Sequence, residues 1–324
     1  MSTAPPMFPP TSTTELSGTV RSILWSNWGE CAADPEANTQ GVVIVKVATP
    51  GGDQIAKGPC PEDGIEVGMA CRFLGRTIEH HQYGKQFAFN TFCRLEPATR
   101  TGVIRYLVKL APNIGEVKAC KLWDRFQSDA VRTLRETPAA VAESGILTLD
   151  QAEEAARELA KFGALEQTRI DLFGLFEKRG FPGKLIEACI AKWGARAYSR
   201  IKANPYALLV GKPRLPGCGW KRTDKLYLDL GGDAARLKRQ MLAAWNALRE
   251  DSSGHTFLPL GVAREAIRKA VSEGSCDVER ALKLGVRAKW LSLYTDTYGQ
   301  TWIAESSKAK NERIVAEKIT ELMG

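Results

Sequence analysis

The stretch that decides the fold is ACKLWDRFQSDAVRTLRETPAAV, residues 119–141, which returns in altered form as ACIAKWGARAYSRIKANPYALL, residues 188–209. Matching landmarks in the two copies are Trp123 with Trp193, 70 residues apart, and Pro138 with Pro205, 67 apart. Apolar residues recur at helical spacing in both copies, and each proline suits the first position of a new helix. The sequence therefore predicts a duplicated all-helical region in the middle of the chain.

A short glycine turn precedes and follows each copy, so four helix–turn–helix units stand in two tandem pairs. The turns lie at residues 112–115, 144–146, 180–183 and 215–220. A helix N-terminus leaves unpaired N–H groups and a partial positive charge, and a glycine lets phosphate approach because no Cβ intervenes. Duplicated units of this kind are typical of helix-hairpin-helix modules, which hold DNA by its backbone without reading its sequence.

The four turns differ in the charges beside them. The fourth fits phosphate binding best, with Gly217, Gly219, Lys221, Arg222 and Lys225 as candidate DNA-binding residues, and the third offers Gly183 and Lys184. In the first turn the candidates are Asn113, Gly115 and Lys118, although Glu116 would repel phosphate. The second turn is followed by three acidic residues, so we expect it to be architectural. Plain packing of paired helices explains any one unit taken singly.

The positive charge of the chain is concentrated in its second pair of hairpins. The 324 residues carry a formal net charge of +8, and residues 169–232 contain 13 Lys and Arg against 5 Asp and Glu. This segment accounts for the whole excess. A solvated helical surface is the ordinary explanation of a charge run, but here the basic residues cluster around two glycine turns, which favours a face that binds a polyanion.

Short β-branched and aromatic runs before residue 96 predict strands near residues 18–25, 41–48, 69–78 and 85–95. Four or five short strands predict a small barrel over residues 15–98, with an oligonucleotide-binding (OB) fold as the leading candidate and an SH3-like barrel as the alternative. Tyr83, at a turn between two strands, is a candidate for stacking on single-stranded bases, whereas Phe87 and Phe89 fit burial in the core better. Residues 1–14 are predicted to be a disordered lead-in.

After residue 232 the pattern predicts three helices and then a hairpin, with strands near residues 288–294 and 300–304. This order is typical of a winged-helix unit, here over residues 233–304. Residues 305–324 are predicted to form an amphipathic helix with Ile314, Ile319 and Leu322 near one face. With residues 99–168 and 169–232 as the two helix-hairpin-helix pairs, the chain is predicted to be a multidomain α+β protein.

Several function classes lack their motifs. The sequence contains no G-x-x-x-x-G-K-[ST] phosphate loop, no H-E-x-x-H and no G-x-S-x-G. The eight cysteines are scattered without a C-x-x-C pair, so no metal site and no cofactor are predicted, and free thiols fit a reducing cytoplasm. No apolar run approaches the ~20 residues that span a bilayer, so no membrane association is predicted.

The residues that carry a family resemblance are GTVRSILW, RTIEHHQYGKQF, RYLVKLAPNIGEVKACKLWDRF, NPYALLVGKPRLPGCGWKRTDKLYLDLG and GHTFLP. Over residues 16–324 the chain resembles the non-motor N-terminal region of RecD-like 5′→3′ DNA helicases. The resemblance implies an OB domain, tandem helix-hairpin-helix pairs and a winged-helix unit. In that family two ATP-driven motor domains follow this region, and neither is present in these 324 residues, so helicase activity does not carry over to them.

Three functions fit these residues. The leading hypothesis is a non-catalytic, largely sequence-independent DNA-binding protein of the cytoplasm and nucleoid, with single-stranded or forked DNA as ligand and DNA repair or recombination as its setting. The second is part of an ATP-dependent helicase whose motor subunit is a separate chain. The third is a protein-interaction adaptor that keeps a DNA-binding architecture.

Overall fold

The computed structural model describes residues 14–27, 41–60, 64–81, 84–211, 214–271 and 276–323. The chain divides into two compact units. The first comprises Met1–Ala203 and Lys212–Gly217, and the second comprises Asn204–Gly211 and Cys218–Gly324.

The first unit begins with five strands that close into a barrel. In chain order they are β1 (Thr14–Ser26), β2 (Gly41–Thr49), β3 (Gly52–Cys60), β4 (Ala70–His80) and β5 (Gly84–Arg94). They pair in the order β1-β2-β3-β5-β4, and β4 returns to β1. The β3–β5 pair is parallel and the other pairs are antiparallel. A closed barrel of five strands in this order is consistent with an OB-like fold.

Alternation along the strands builds the barrel core. On β2, Val43, Val45 and Val47 are buried while the residues between them face outward, because successive side chains of a strand point to opposite faces. Phe87 and Phe89 are only 4% and 2% exposed, so both belong to the core as expected. The sequence pattern does not predict β3, whose Gly, Asp, Gln, Lys and Pro residues have weak strand propensity.

Helices follow the barrel in the described part of the first unit. They are α1 (Arg100–Leu110), α2 (Glu116–Phe126), α3 (Ala130–Glu136), α4 (Pro138–Glu143), α5 (Leu149–Phe176), α6 (Lys184–Trp193) and α7 (Ala197–Ala203). The 28-residue α5 runs through residue 168, where the sequence suggests a boundary between the two hairpin pairs. Its first half shares a buried apolar cluster with α1–α4, whereas Thr168 Oγ1 donates to the carbonyl of Ala195 at 3.0 Å. The two pairs are therefore joined by a continuous helix.

The duplication is visible in the run of elements. In each copy a helix ends at a single 3₁₀ turn, Gln127–Asp129 or Gly194–Arg196, and the next helix follows at once. A proline then begins a further helical turn, at Pro138 in α4 and at Pro205 in the 3₁₀ segment Pro205–Leu208. Corresponding elements are offset by the 67 residues that the two prolines indicate.

This offset changes which aromatic residues correspond. Trp193, the last residue of α6, is equivalent to Phe126, the last residue of α2. The pairing of Trp123 with Trp193 suggested by the sequence is therefore wrong. The two tryptophans are the more conspicuous match between the two sequences, but the backbone turn that follows each helix determines which residues of the two copies are equivalent.

Charged groups join the barrel to the helices within the first unit. Glu166 on α5 accepts the backbone N–H of Arg94 at 2.8 Å and Nη1 of Arg169 at 2.5 Å. Arg169 also donates to Glu187 on α6, with Nε–Oε1 and Nη2–Oε2 distances of 2.7 and 3.0 Å. Burial alone would lower the pKa of Arg169, but its hydrogen bonds to Glu187 and Glu166 raise that pKa above the ordinary range.

The second unit combines helices with a small sheet. Its helices are α8 (Trp220–Asp229), α9 (Leu237–Glu250), α10 (Leu260–Ala270), α11 (Val278–Arg287) and α12 (Ser306–Met323). Its strands are β6 (Leu258–Pro259), β7 (Leu291–Thr295) and β8 (Thr301–Glu305), paired antiparallel in the order β6-β8-β7. Three helices and a hairpin thus follow residue 233 in the predicted order.

The last helix, α12, is exposed from Lys310 to Met323. Ile314, Ile319 and Leu322 are 44%, 52% and 86% exposed, so the apolar residues expected near one face are not buried. Among the helices in the described ranges, none is long and apolar enough to cross a bilayer.

Candidate nucleic-acid interface

The N-terminus of α8, in the second unit, is open to solvent. Gly219 precedes the helix with φ −101° and ψ 164°, and no side chain caps it. A Cβ added to Gly219 would meet no atom within 4 Å. The first N–H groups of a helix have no acceptor within it and carry a partial positive charge. The backbone here is accessible to an anion.

Basic side chains line the start of this helix. Lys221, Arg222 and Lys225 are all exposed. Lys221 and Lys225 stand four residues apart, so they share one face of the helix. Neither lysine forms an ion pair within the described part of the chain. Their charges are available to a phosphate group near Gly219.

Asp224 holds three elements together beneath this surface. Its carboxylate accepts Nε and Nη2 of Arg239 on α9, each at 2.8 Å, and the hydroxyl of Tyr206 at 2.6 Å. The ring of Tyr206 stacks on Trp220, with centroids 5.7 Å apart and 19° between the planes. Asp224 therefore orients α8 from inside the protein. Tyr206 and Asp224 both lie in the stretch NPYALLVGKPRLPGCGWKRTDKLYLDLG that carries the family resemblance, whereas their partner Arg239 lies outside it.

Gly217 lies in the turn before α8 and belongs to the first unit. Its φ is 68°, a conformation that glycine adopts at little cost. A Cβ on Gly217 would stand 2.5 Å from Cγ of Pro182. Glycine is therefore required here by both conformation and packing, and a phosphate contact at Gly217 stays a prediction.

The third hairpin turn packs on the barrel. Gly183 precedes α6 without a side-chain cap, and a Cβ on it would lie 2.8 Å from the carbonyl oxygen of Asn90 on β5. Close approach of the two backbones thus explains this glycine without any ligand. Lys184, the next residue, is exposed. Phosphate binding by Gly183 and Lys184 stays a prediction.

In the first hairpin, two of the three candidate DNA-binding residues are hydrogen-bonded to other residues of the chain. Asn113, at φ 64°, donates its Nδ2 to Glu154 Oε2 at 2.8 Å. Lys118 Nζ donates to the Asn113 carbonyl and to Gln151 Oε1, both at 3.1 Å. Gly115 is open, with no atom within 4 Å of an added Cβ, but Glu154 stands close to the turn. The three candidates lie together, and two are engaged with other residues of the chain.

The second hairpin turn is closed by its own side chains. Thr148 Oγ1 accepts the Gln151 N–H at 3.3 Å, and Gln151 Oε1 accepts the Thr148 N–H at 3.4 Å. This capping box satisfies N–H groups at the start of α5. It fits the architectural role expected for this turn.

A basic and aromatic cluster at the end of α6 is not among the residues chosen from the sequence. Lys192 Nζ and Arg200 Cζ lie 5.3 and 5.6 Å from the centre of the Trp193 ring. Such distances suit cation–π attraction. A signal for this surface is present in the sequence, because residues 188–223 contain no Asp or Glu.

Tyr83, the proposed stacking residue, lies outside the described residues. Among the residues that the structure does describe, no group of three or more His, Cys, Asp or Glu side chains could hold a metal ion.

An open helix N-terminus after a glycine turn, set among tandem helical hairpins, defines a region of the helix-hairpin-helix class. Residues 165–257 match the family model described as the ATP-dependent RecD2 DNA helicase HHH domain, HHH meaning helix-hairpin-helix. The match begins within α5, includes the third and fourth turns and ends before β6. This segment is a RecD2-like helix-hairpin-helix region, in agreement with the resemblance. The barrel and most of the C-terminal part lie outside it.

Proposed function

We propose that this chain is a non-catalytic DNA-binding protein that grips backbone phosphates without reading base sequence. The single observation that carries the proposal is the N-terminus of α8, which is uncapped and open at Gly219 and has three exposed basic residues beside it. A helix N-terminus with flanking lysines binds phosphate through backbone N–H groups and charge. The matched family is that of a DNA helicase domain, which supports DNA as the polyanion.

The remaining candidates have supporting roles in this proposal. Gly217, Gly183 and Lys184 line the turns of the same hairpin pair, although their glycines also serve packing. Asn113, Gly115 and Lys118 contribute less, because Glu154 is close and two of them are engaged within the protein; Lys118 acts by holding the turn and not by a phosphate contact of its own. Single-stranded or forked DNA is the proposed ligand. The barrel acts as an OB domain and residues 233–304 as a winged-helix unit.

The charge test is the double variant Lys221→Glu/Lys225→Glu. Binding to labelled duplex and forked DNA is measured by fluorescence anisotropy at several salt concentrations. We expect weaker binding to every sequence and a log K–log[salt] slope that is shallower by about 2, because two phosphate contacts are lost. The matched control is Lys161→Glu/Lys318→Glu, which makes the same charge change at exposed lysines elsewhere. An equal loss in the control would show that only net charge matters.

The geometric test is Gly219→Ala. The free protein has room for the methyl group and an ordinary φ at this position, so the fold is kept, but a phosphate held against the backbone would collide with it. Gly115→Ala makes the same change at another open turn, and both variants lose a similar small N-cap preference. We expect the larger loss of DNA affinity for Gly219→Ala. Equal affinities in both variants and the parent chain would contradict the proposed contact.

A second candidate function is favoured by the matched family alone. The chain would be the DNA-binding part of an ATP-dependent helicase whose motor is a separate chain. The test is unwinding of forked DNA with ATP by the purified chain, alone and with any ATPase that co-purifies. Unwinding only in the presence of that ATPase supports this function. No DNA binding at low salt, together with capture of a protein partner, would favour an adaptor instead.

A further inference from the structure

We infer that the outer face of the barrel carries a second nucleic-acid site, at which Trp25 stacks on a base of single-stranded DNA. The inference rests on the proposed DNA-binding function for the class of ligand. It uses different residues, in the first unit, and a different mode of contact from the N-terminus of α8.

An irregularity in β1 turns Trp25 outward. The pairing register between β1 and β2 shifts between Ile23 and Trp25. Leu24 and Trp25 are successive residues, yet they are 53% and 48% exposed. In a regular strand one of two successive side chains would enter the barrel, whereas a bulge adds a residue and redirects the side chains. A large aromatic ring is thereby left half in solvent.

The neighbours of Trp25 across the sheet are apolar and basic. Trp25 pairs with Ile44 on β2, and Ile44 pairs with Lys57 on β3. Directly opposite residues lie on the same face of a sheet, and this is the outer face because Ile44 alternates with buried valines. Lys57 is exposed and stands two strand spacings, about 10 Å, from Trp25. Trp25, Ile44 and Lys57 therefore lie in line across three strands, with an aromatic ring at one end and a positive charge at the other.

The charges of this face favour a polyanion over a basic or neutral partner. Arg21 and Lys46 both lie 3.1 Å from one carboxylate oxygen of Asp53, which leaves that cluster with one net positive charge. Asp53 is the one acidic residue of β2 and β3, and Lys57 adds a further positive charge.

Single-stranded DNA is the polyanion that matches an exposed ring. Its unpaired bases present free π-faces, so an aromatic side chain stacks on any of them while lysines attract the backbone. A duplex keeps its bases stacked within the helix. The outer face of the barrel is therefore a site for single strands, and the N-terminus of α8 is the site for backbone phosphate in general.

The test uses labelled oligo(dT), fluorescence anisotropy and four forms of the full chain. We expect Trp25→Ala to weaken oligo(dT) binding about 5- to 150-fold, the range for loss of one base-stacking contact. Trp25→Tyr, which keeps an aromatic ring, should retain most of the affinity. Leu322→Ala is the control, since it removes an 86% exposed large apolar side chain from α12, outside the proposed winged-helix unit, and should change nothing. Melting temperatures verify that every variant is folded.

Unchanged oligo(dT) affinity in Trp25→Ala would overturn the inference, as would a parent chain that binds no oligo(dT) at about 50 mM salt. A Trp25→Ala variant that loses a protein partner but keeps oligo(dT) would assign this face to protein binding. The Lys221→Glu/Lys225→Glu variant separates the two proposals. If it binds DNA normally while Trp25→Ala is weakened, the α8 site fails and the Trp25 site stands.

Discussion

Gln127 and Gly194 occupy equivalent positions in the two copies and share one backbone conformation. Their φ and ψ angles are 51° and −132° for Gln127 and 59° and −144° for Gly194. Each ends a helix and donates its N–H to the carbonyl four residues earlier, on Trp123 or Ile190. Glycine adopts this region at little cost, whereas a residue with a Cβ is strained there. The first copy therefore has Gln127 in a backbone conformation that favours glycine, and the second copy has a glycine there.

Exchanging these residues should have opposite effects. We expect Gln127→Gly to raise the free energy of unfolding by about 1 kcal/mol, because relief of strain exceeds the added chain entropy. Gly194→Gln should lower it by about 1–3 kcal/mol. Urea unfolding measures both. Gln167→Gly, on an exposed helical position of α5, is the control and should cost about 1 kcal/mol. Destabilisation by Gln127→Gly would contradict the strain.

Breaking the Asp224–Arg239 pair should be costly. Arg239 is 4% exposed, so Asp224→Asn leaves its guanidinium buried without a countercharge, and we expect a loss of about 3–5 kcal/mol in unfolding free energy. Replacing both residues by leucine should cost less than the single change, because no uncompensated charge remains. Thermal or urea unfolding decides this, with the exposed Glu312→Gln as control. A double variant that is the least stable of the set would refute the account.

Stability should fall at alkaline pH in a way that depends on Tyr206. Burial, and then its hydrogen bond to Asp224, raise the pKa of Tyr206 well above the ordinary value. The unfolded chain ionises this tyrosine near pH 10, while the folded chain keeps it protonated. Its contribution is therefore complete below about pH 10 and is lost as the pH rises further.

The measurement is urea unfolding of the parent chain and of Tyr206→Phe between about pH 8 and 11. The stability difference between the two proteins should be constant at first and should shrink above about pH 10. Burial also raises the pKa of Tyr106 to about 12, and this group is present in both proteins, so its effect cancels. A difference that grows with pH would show that Tyr206 is not protected from ionisation.

Replacement of Lys118 and of Lys221 by methionine should affect different properties, protein stability in the first case and DNA binding in the second. Lys118 Nζ holds the first turn through Asn113 and Gln151, so Lys118→Met should lower the unfolding free energy by roughly 1 kcal/mol and leave the salt slope of DNA binding unchanged. Lys221→Met should do the reverse, with a slope shallower by about 1. Unfolding and anisotropy measurements on both variants test this. A changed slope for Lys118→Met would assign the first hairpin to DNA contact.

Local patterns in the sequence determine most of the elements. Short β-branched and aromatic runs predict four of the five barrel strands, helical spacing predicts the hairpins, and the prolines give the correct offset between the copies. The concentration of positive charge in residues 169–232 is likewise a property of the sequence. These features depend on residues that are close together in sequence, so they can be predicted without knowledge of the tertiary structure.

Only the tertiary structure decides which glycine turns are open. Gly183 and Gly219 look alike in sequence, yet one meets a carbonyl of the barrel and the other meets no atom. The sequence likewise does not predict the ion pair of Asp224 with Arg239 or the outward orientation of the Trp25 ring. Each depends on how a backbone packs against segments distant in sequence, or on one extra residue in a strand. The spacing of apolar residues along the sequence predicts neither the packing against distant segments nor the position of an extra residue in a strand.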